Sequence, residues 1–225
     1  MKIYLIRHGQ SRGNVDKKVH AELPDHAIGL SEEGKEQAKR AGEFLGKRFL
    51  IPSGIDNRHI RMWISPYKRT RETASNFENG FMETAPYYFK PYLEQREHIN
   101  LVEQQFGLFD GIDDEDLPKL FPNEHAHYDK AEKFEGRFWA RMPLGESRFD
   151  VAVRVHQFFG TIMRDADKHG ISNLFIVSHG VTIRAFIMQW LHLPFEWFEK
   201  EPNPKNCSIR LIDDKSDCGY IYKGE

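Results

Sequence analysis

The stretch KIYLIRHG, residues 2–9, opens the chain with a short apolar run that ends in arginine, histidine and glycine. A run this short and rich in β-forming residues is typical of a buried strand. Side chains at the C-terminal end of such a strand lie where open α/β sheets build their sites. Arg7 is suited to hold an anion with two N–H groups, His8 is a potential nucleophile, and Gly9 permits a sharp turn.

The same design recurs near the other end of the chain. Residues 173–177 read NLFIV, and Ser178, His179 and Gly180 follow directly. A helical pattern then runs from Thr182 to Leu191. Because the carboxyl ends of parallel strands meet at one edge of a sheet, the sequence predicts that the two histidines lie close together.

The rest of the chain alternates predicted strands with predicted helices, which indicates an α/β fold around a mostly parallel sheet. After a polar loop at 10–28, Ser31 and Ser147 have the pattern of helix N-caps, and Ser65-Pro66 that of an N-cap and first helical residue. Further strands are predicted at 60–64, 87–92 and 207–212, with a short tail around Tyr220, and further helices at 31–47, 65–76 and from 147 onward.

The region at about 94–143 is aromatic, acidic and irregular, and it is too long for a plain connection. We therefore interpret it as an insertion over the site, within a single domain that spans residues 1–225. His125 and His127 lie in this region without a third convergent ligand, so a surface loop is a better interpretation of the pair than a metal site.

Composition sets the broad class of protein. The 225 residues are 40% hydrophobic and carry a formal net charge of −2, so nothing favours a nucleic acid or a membrane surface as partner. Two cysteines, Cys207 and Cys218, are too few for a disulfide framework or a zinc site. Because the N-terminal segment has the pattern of a core strand rather than a secretory signal, we expect a cytoplasmic protein.

Two arginines, two histidines, one amide and one carboxylate form the candidate site, and this set suits a phosphoryl group. Arginines hold its non-bridging oxygens, a histidine attacks phosphorus, and the carboxylate handles the proton of the leaving group. Arg71 is an alternative to Arg69, and Glu94 and Glu97 are alternatives to Glu103. The candidates are Arg7, His8, Asn14, Arg69, Glu103 and His179.

The order and spacing of these motifs resemble the histidine phosphatase superfamily, also called phosphoglycerate-mutase-like proteins, from Ile3 to about Phe186. The resemblance is carried by RHG at 7–9, SPYKR at 65–69 with Thr73-Ala74, and SHG at 178–180. Supporting matches are LSEEG at 30–34 with Gln37-Ala38, and GES at 145–147 with Asp150 and Arg154.

The resemblance implies a fold and a set of roles. The family fold is a three-layer α/β/α sandwich. His8 would be the nucleophile that forms a phosphohistidine, and Glu103 the general acid and base. The phosphate would be bound by Arg7, Arg69 and His179, with Asn14 and Gly180 as further contacts. The resemblance also implies a small phosphorylated substrate and no metal or other cofactor.

Departures from the family's mutase pattern favour hydrolysis over intramolecular transfer. The segment Arg12-Gly13-Asn14 keeps the family's asparagine without its tryptophan, and Val102 stands where an arginine usually precedes the acid. The run FGLFDG at 106–111 resembles the phosphatase branches. A phosphoglycerate-type phosphomutase and a catalytically weak module that binds a phosphorylated ligand are the alternatives. The substrate and the oligomeric state stay open.

Overall fold

A six-stranded sheet organises the part of the chain that the computed structural model describes, residues 1–49, 60–84 and 93–225. The strands are β1 (Lys2–Arg7), β2 (Ile60–Ile64), β3 (Glu94–Glu97), β4 (Asn173–Ser178), β5 (Ile209–Asp213) and β6 (Ser216–Tyr222). Their order in the sheet is β3-β2-β4-β1-β5-β6. The first four strands run parallel, whereas β5 and β6 pair antiparallel at one side.

Helices cover both faces of this sheet. They are α1 (Arg12–Val15), α2 (Val19–Glu22), α3 (Glu32–Phe49), α4 (Lys68–Thr84), α5 (Leu117–Leu120), α6 (Pro122–Glu135), α7 (Arg148–His169), α8 (Gly180–Trp190) and α9 (Phe195–Lys200). Along β1, Ile3 and Leu5 join a core with α7 and α8, whereas Tyr4 and Ile6 join a second core with α3 and α4. This division follows from the alternation of side chains along a strand. The predicted three-layer α/β/α sandwich is confirmed.

The register of the sheet brings the two strand-end motifs together. Strands β1 and β4 are direct neighbours, and Arg7 lies opposite Ser178. The backbone N–H of His8 donates to the carbonyl oxygen of Ser178 at 2.9 Å. The next residues of both strands therefore leave the sheet side by side at its carboxyl edge.

Several local predictions are confirmed. The hydroxyl of Ser31 accepts from the N–H of Gly34 at 3.0 Å, as an N-cap should. Ser147 and Asp150 form a reciprocal capping box at the start of α7. The strand predicted at 60–64 is β2. The strand predicted at 87–92 lies outside the described residues.

The predicted boundaries of one helix and one strand are wrong. The helix predicted at 65–76 is α4, which begins later, at Lys68, and continues past the predicted end to Thr84. The carbonyl oxygen of Ser65 accepts from the Thr70 hydroxyl at 2.8 Å, and the backbone bond from the Arg71 N–H to the Tyr67 carbonyl at 3.1 Å opens the helix. The strand predicted at 207–212 is β5, which starts at Ile209, because Cys207 has a φ of 53° and cannot extend the strand. The tail around Tyr220 is strand β6.

The two segments predicted to be irregular contain secondary structure. The loop at 10–28 includes α1 and α2, and the region at 94–143 includes β3 and the 14-residue helix α6. His125 and His127 both lie on α6, so their assignment to a surface loop is wrong. In this helix Tyr128 is the residue that is buried. A helix with so narrow an apolar face shows no clear helical period of apolar residues in its sequence.

Candidate active site

His8 and His179 meet at the carboxyl edge of the sheet, as the strand-end motifs predict. Both residues are buried, and their ring centroids are 5.1 Å apart. Arg69, from the start of α4, lies beside them and donates from Nε to Nδ1 of His179 at 3.3 Å. The structure therefore brings three of the predicted site residues into direct proximity.

The hydrogen bond of His8 fixes which ring nitrogen is available for chemistry. Nδ1 lies 2.7 Å from the carbonyl oxygen of Gly9, and because a carbonyl only accepts, Nδ1 carries the proton. The lone pair of the neutral imidazole then lies on Nε2. Burial, and then the positive charges of Arg69 and Arg7, lower the pKa of His8 well below its ordinary value. His8 is therefore held neutral, as a nitrogen nucleophile must be.

The turn after His8 is held by the supporting motifs found in the sequence. The N–H of Gly9 donates to the Thr73 hydroxyl at 3.1 Å, and the N–H of Gln10 donates to Oε1 of Gln37 at 2.9 Å. A Cβ at position 9 would lie 2.4 Å from the carbonyl oxygen of Gly34, so only glycine fits this approach. These contacts fix the direction in which the His8 ring leaves β1.

Both ring nitrogens of His179 have partners within the protein. Nδ1 accepts from Arg69, so Nε2 carries the proton and donates to the Ser65 hydroxyl at 2.8 Å. The ring also packs edge-on against Tyr67, with centroids 5.1 Å apart. Burial, and then Arg69, lower the pKa of His179 well below its ordinary value. A phosphate could form a hydrogen bond with the His179 ring only by replacing Arg69 or Ser65 as its partner.

Arg69 is paired with a carboxylate that the sequence analysis missed. Its Nη1 and Nη2 donate to Oδ1 and Oδ2 of Asp25 at 2.8 and 3.0 Å, and Nη1 also donates to the Asp25 carbonyl oxygen at 2.8 Å. Asp25 lies 44 positions earlier in the chain, and no local pattern connects it to α4. By contrast, the alternative Arg71 is exposed and pairs with Glu97 at 2.6 Å. The structure therefore places Arg69, and not Arg71, beside the histidines.

Arg7 reaches the site from the end of β1. Its Nη1 donates to the carbonyl oxygen of Pro204, whereas its buried Nε has no hydrogen-bond partner among the described residues. Burial lowers the pKa of Arg7, and the nearby carboxylate of Glu103 opposes this effect. A buried N–H without a partner is costly, and an oxygen of a bound anion would satisfy it.

The backbone before Glu103 is fastened to the junction of β4 and α8. The Ser178 hydroxyl donates to the Leu101 carbonyl at 2.7 Å, and the Thr182 hydroxyl donates to the Val102 carbonyl at 2.6 Å. Arg154 donates to the carbonyl oxygen of Glu103 itself at 3.0 Å. These three bonds hold Glu103 next to the motif that supplies His179.

The other glutamates considered as the acid lie in ion pairs elsewhere. Glu94 is 3.2 Å from Arg61, and Glu97 is paired with Arg71. Neither glutamate is among the charges that act on the pKa of His8 or Arg7, whereas Glu103 acts on Arg7. Of these three carboxylates, Glu103 is the one that lies near Arg7 and near Thr182 of the second motif's helix.

Asn14 and Gly180 have structural partners of their own. Oδ1 of Asn14 accepts from the Ser11 N–H at 3.0 Å, which completes the capping box of α1, and the residue lines a cavity next to the site. Gly180 begins α8 directly after His179, and a Cβ there would approach Asn203 Oδ1 to 3.0 Å. The predicted contacts of both residues with a phosphate stay predictions.

The cavity beside the site has a volume of about 630 Å³. One wall comes from Gly13 and Asn14, which follow the first motif, and another from residues of the predicted insertion such as Phe109 and Asp110. In the described ranges, no group of three or more histidine, cysteine, aspartate or glutamate side chains is arranged to hold a metal ion. None of the helices described is both long and apolar enough to cross a membrane.

Comparison with known proteins places this site in a family. The model of the histidine phosphatase superfamily (branch 1) matches residues 3–222, and the chain belongs to that superfamily. The phosphoglycerate mutase-like protein AT74H of Arabidopsis thaliana is 36% identical over 231 residues, which cover 98% of this chain and 76% of that protein.

More distant relatives include phosphatases by name. The broad-range acid phosphatase DET1 of Saccharomyces cerevisiae is 24% identical, and the alignment covers 98% of this chain and 88% of that protein. The structure of a mycobacterial glucosyl-3-phosphoglycerate phosphatase superposes with a TM-score of 0.68 at 22% identity, covering 98% of this chain and 96% of that one. This structural likeness supports the fold.

Proposed function

We propose that this protein is a phosphatase that hydrolyses small phosphomonoesters through a phosphohistidine on His8, without a metal ion. The observation that carries the proposal is the neutral His8 ring, whose Nδ1–H is bound to Gly9 and whose Nε2 is free to attack, beside Arg7 and Arg69. The family and the names of its phosphatase members support the same activity.

In the first step, Nε2 of His8 attacks phosphorus, and the bond between phosphorus and the ester oxygen breaks. The imidazole becomes positively charged, and its Nδ1–H bond to the Gly9 carbonyl stabilises that charge. Glu103 gives a proton to the departing oxygen, so that a neutral alcohol leaves.

In the second step, a water molecule attacks the phosphorus of the phosphohistidine. Glu103 takes a proton from that water, and the bond between nitrogen and phosphorus breaks. Neutral His8 and protonated Glu103 are restored, and inorganic phosphate is released. The positive charge that holds the transferred group comes from Arg7 and Arg69.

Arg69 offers few free N–H groups in the described state. A guanidinium has five N–H donors, and four of these bind His179 or Asp25. A phosphate would therefore use the fifth donor or displace part of the Asp25 contact. The Nε of Arg7, by contrast, is buried and has no hydrogen-bond partner among the described residues, so it would lose no bond by donating to a phosphate.

We also propose that residues 94–143 form an insertion that covers the site within one domain. Two observations support this placement. Glu103 lies in that segment and is held against the β4–α8 junction, and the segment supplies most of the cavity wall. The segment would then shape the pocket for the part of the substrate that is not phosphate.

The test is phosphate release from a panel of phosphomonoesters by the wild type and by His8→Ala, with and without a chelator. The proposal expects release by the wild type that is indifferent to the chelator and lost in His8→Ala. Full activity of His8→Ala would contradict it. A chelator-sensitive wild type would contradict its metal independence.

The phosphomutase alternative is tested in the same panel, because the name of the 36% identical relative includes phosphoglycerate mutase. With phosphoglycerate and its bisphosphate primer, a mutase isomerises the substrate faster than it releases phosphate. A module that only binds a phosphorylated ligand would show binding to the wild type without turnover of any panel member.

A further inference from the structure

The cavity of about 630 Å³ lies between the loop that follows the first motif and the predicted insertion, and it adjoins the proposed phosphate site without being lined by Arg7, His8 or Arg69. Asp110 lines this cavity and is close enough to Arg69 and Asp25 to interact with their charges. Asn14, which follows the first motif by a few residues, lines the same cavity. A phosphomonoester whose phosphate lies at Arg7 and His8 would therefore direct its alcohol portion into this cavity.

The charged groups that line the cavity have an excess of negative charge. The lining cations are Lys17 and Arg137, with His20 and His125, and the lining carboxylates are Asp110, Asp114, Asp129 and Glu132. With the histidines neutral, this is two positive charges against four negative ones. A second anionic group on a substrate would meet net repulsion there.

The cations of the cavity are also occupied by carboxylates. The Lys17 ammonium is bound by Asp113, and Arg137 is 3.6 Å from Glu132. His125, if protonated, has Asp129 at 3.7 Å. An anionic substituent would have to compete with these pairs, so the cavity offers no cation that is free to receive it.

Two carboxylates lie close to Arg69, and one of them, Asp110, also lines the cavity. Asp25 holds both terminal nitrogens of Arg69, and Asp110 lies near this pair. Desolvation, and then the charge of Asp25, raise the pKa of Asp110, whereas His20 and Arg69 oppose the rise. Burial is the larger cause of this rise, and the charge of Asp25 adds to it.

The remaining wall of the cavity is apolar and aromatic. Phe109 and Tyr128 are both buried, and their rings meet edge to face with centroids 5.8 Å apart. Phe106 and Met142 extend this wall. Such a surface gains free energy by covering apolar atoms of a ligand.

We propose that this cavity selects phosphomonoesters whose alcohol portion is uncharged and has an apolar face, and that Asp110 disfavours substrates with a second anionic group. The inference rests on the proposed phosphatase function, because it assigns the non-phosphate part of the substrate of that same site. According to this proposal, carboxylated and bisphosphorylated compounds are not among the preferred substrates.

The test compares matched pairs of substrates that differ in one negative charge: glycerol 3-phosphate with 3-phosphoglycerate, and phenyl phosphate with 4-carboxyphenyl phosphate. We expect wild-type kcat/KM to be at least about tenfold higher for the uncharged member of each pair. Asp110→Asn should reduce this ratio by about threefold or more. The matched control is Asp116→Asn, a nearby carboxylate that pairs with Lys119 and does not line the cavity.

Equal or higher kcat/KM for the carboxylated members would overturn the inference while leaving the phosphatase function intact. A ratio unchanged by Asp110→Asn, or changed equally by Asp116→Asn, would overturn the role of Asp110. The dissociation constants of the same four compounds for His8→Ala are measured in parallel by calorimetry. If the wild type turns over none of them but the uncharged members still bind more tightly, the charge preference stands and the proposed phosphatase function fails.

Discussion

Asp25 binds the guanidinium of Arg69 through both carboxylate oxygens, in a site where Arg69 also donates to His179. A contact through two parallel hydrogen bonds is the one that a carboxylate and an arginine prefer. A phosphate bound at the same guanidinium would have to share it with an existing negative charge. We therefore expect Asp25 to weaken the affinity of the proposed site for phosphate while it holds Arg69 in position.

Asp25→Asn should tighten the binding of inorganic phosphate. The amide keeps the size of the side chain but removes its charge, and Arg69 remains held by the Asp25 carbonyl and by His179. We expect the inhibition constant of phosphate to fall by about fivefold, which corresponds to ~1 kcal/mol. The control is Asp167→Asn, an exposed carboxylate on α7. An unchanged or weaker affinity for phosphate would contradict this interpretation of Asp25.

Ser65→Ala removes only one hydroxyl group, but it should lower activity substantially. The change leaves Nε2–H of the buried His179 without its acceptor, which frees the ring to change tautomer or orientation. We expect kcat to fall by about tenfold and the free energy of unfolding to fall by about 1–3 kcal/mol. Ser75→Ala, at an exposed serine of α4, is the control and should change neither quantity. Unchanged kcat in Ser65→Ala would show that His179 needs no such support.

Glu103→Gln should slow the hydrolysis of alkyl phosphates much more than that of 4-nitrophenyl phosphate. An alkoxide needs a proton as it leaves, whereas 4-nitrophenolate is stable without one. We expect kcat/KM to fall by about a hundredfold or more for an alkyl ester and by less than about tenfold for the nitrophenyl ester. Glu94→Gln and Glu97→Gln are the matched controls. If either of them reproduces this selective loss, the acid has been assigned to the wrong glutamate.

The two buried histidines predict how stability depends on pH. Their pKa values are lowered in the folded protein, so between pH 6.5 and the folded values the unfolded chain binds more protons than the folded one. The free energy of unfolding should therefore decrease as the pH falls below about 6.5, by up to ~1.4 kcal/mol per pH unit for each histidine.

This dependence can be assigned to His8 by urea unfolding at a series of pH values between 5 and 7.5. His8→Gln should reduce the slope of the unfolding free energy against pH below pH 6.5. His156→Gln, at an exposed histidine of α7, should retain the wild-type slope. Parallel curves for the wild type and His8→Gln would argue against a neutral, buried His8.

The strand-end motifs predicted the fold and the centre of the site because both are set by local pattern. Apolar runs identify β1 and β4, and parallel strands must present their carboxyl ends at one edge. The proximity of His8 and His179 follows from that geometry, and the 5.1 Å between their rings confirms it. Sequence alone therefore suffices to predict the contact between these two residues.

Contacts that join distant loops could not be predicted in this way. Asp25 lies on a short turn between α2 and α3, and only the folded backbone brings it to Arg69. Ser65 has the pattern of a helix cap, and its hydroxyl does accept from the Tyr67 N–H at 3.4 Å, but the sequence gives no sign of its shorter bond with His179 at 2.8 Å. Helix α6 was not predicted because its sequence has no strong apolar period. The helix is supported instead by the packing of Tyr128 in a small core cluster.

The most direct test of the proposed mechanism is to identify the residue that carries the phosphate during turnover. The wild type would be mixed with a good substrate, quenched in alkali, which preserves phosphohistidine, and digested for mass spectrometry. The mechanism predicts phosphate on the peptide that contains His8, bound at Nε2, and no such label in His8→Ala. Phosphate on a different residue, or undiminished turnover by His8→Ala, would contradict it.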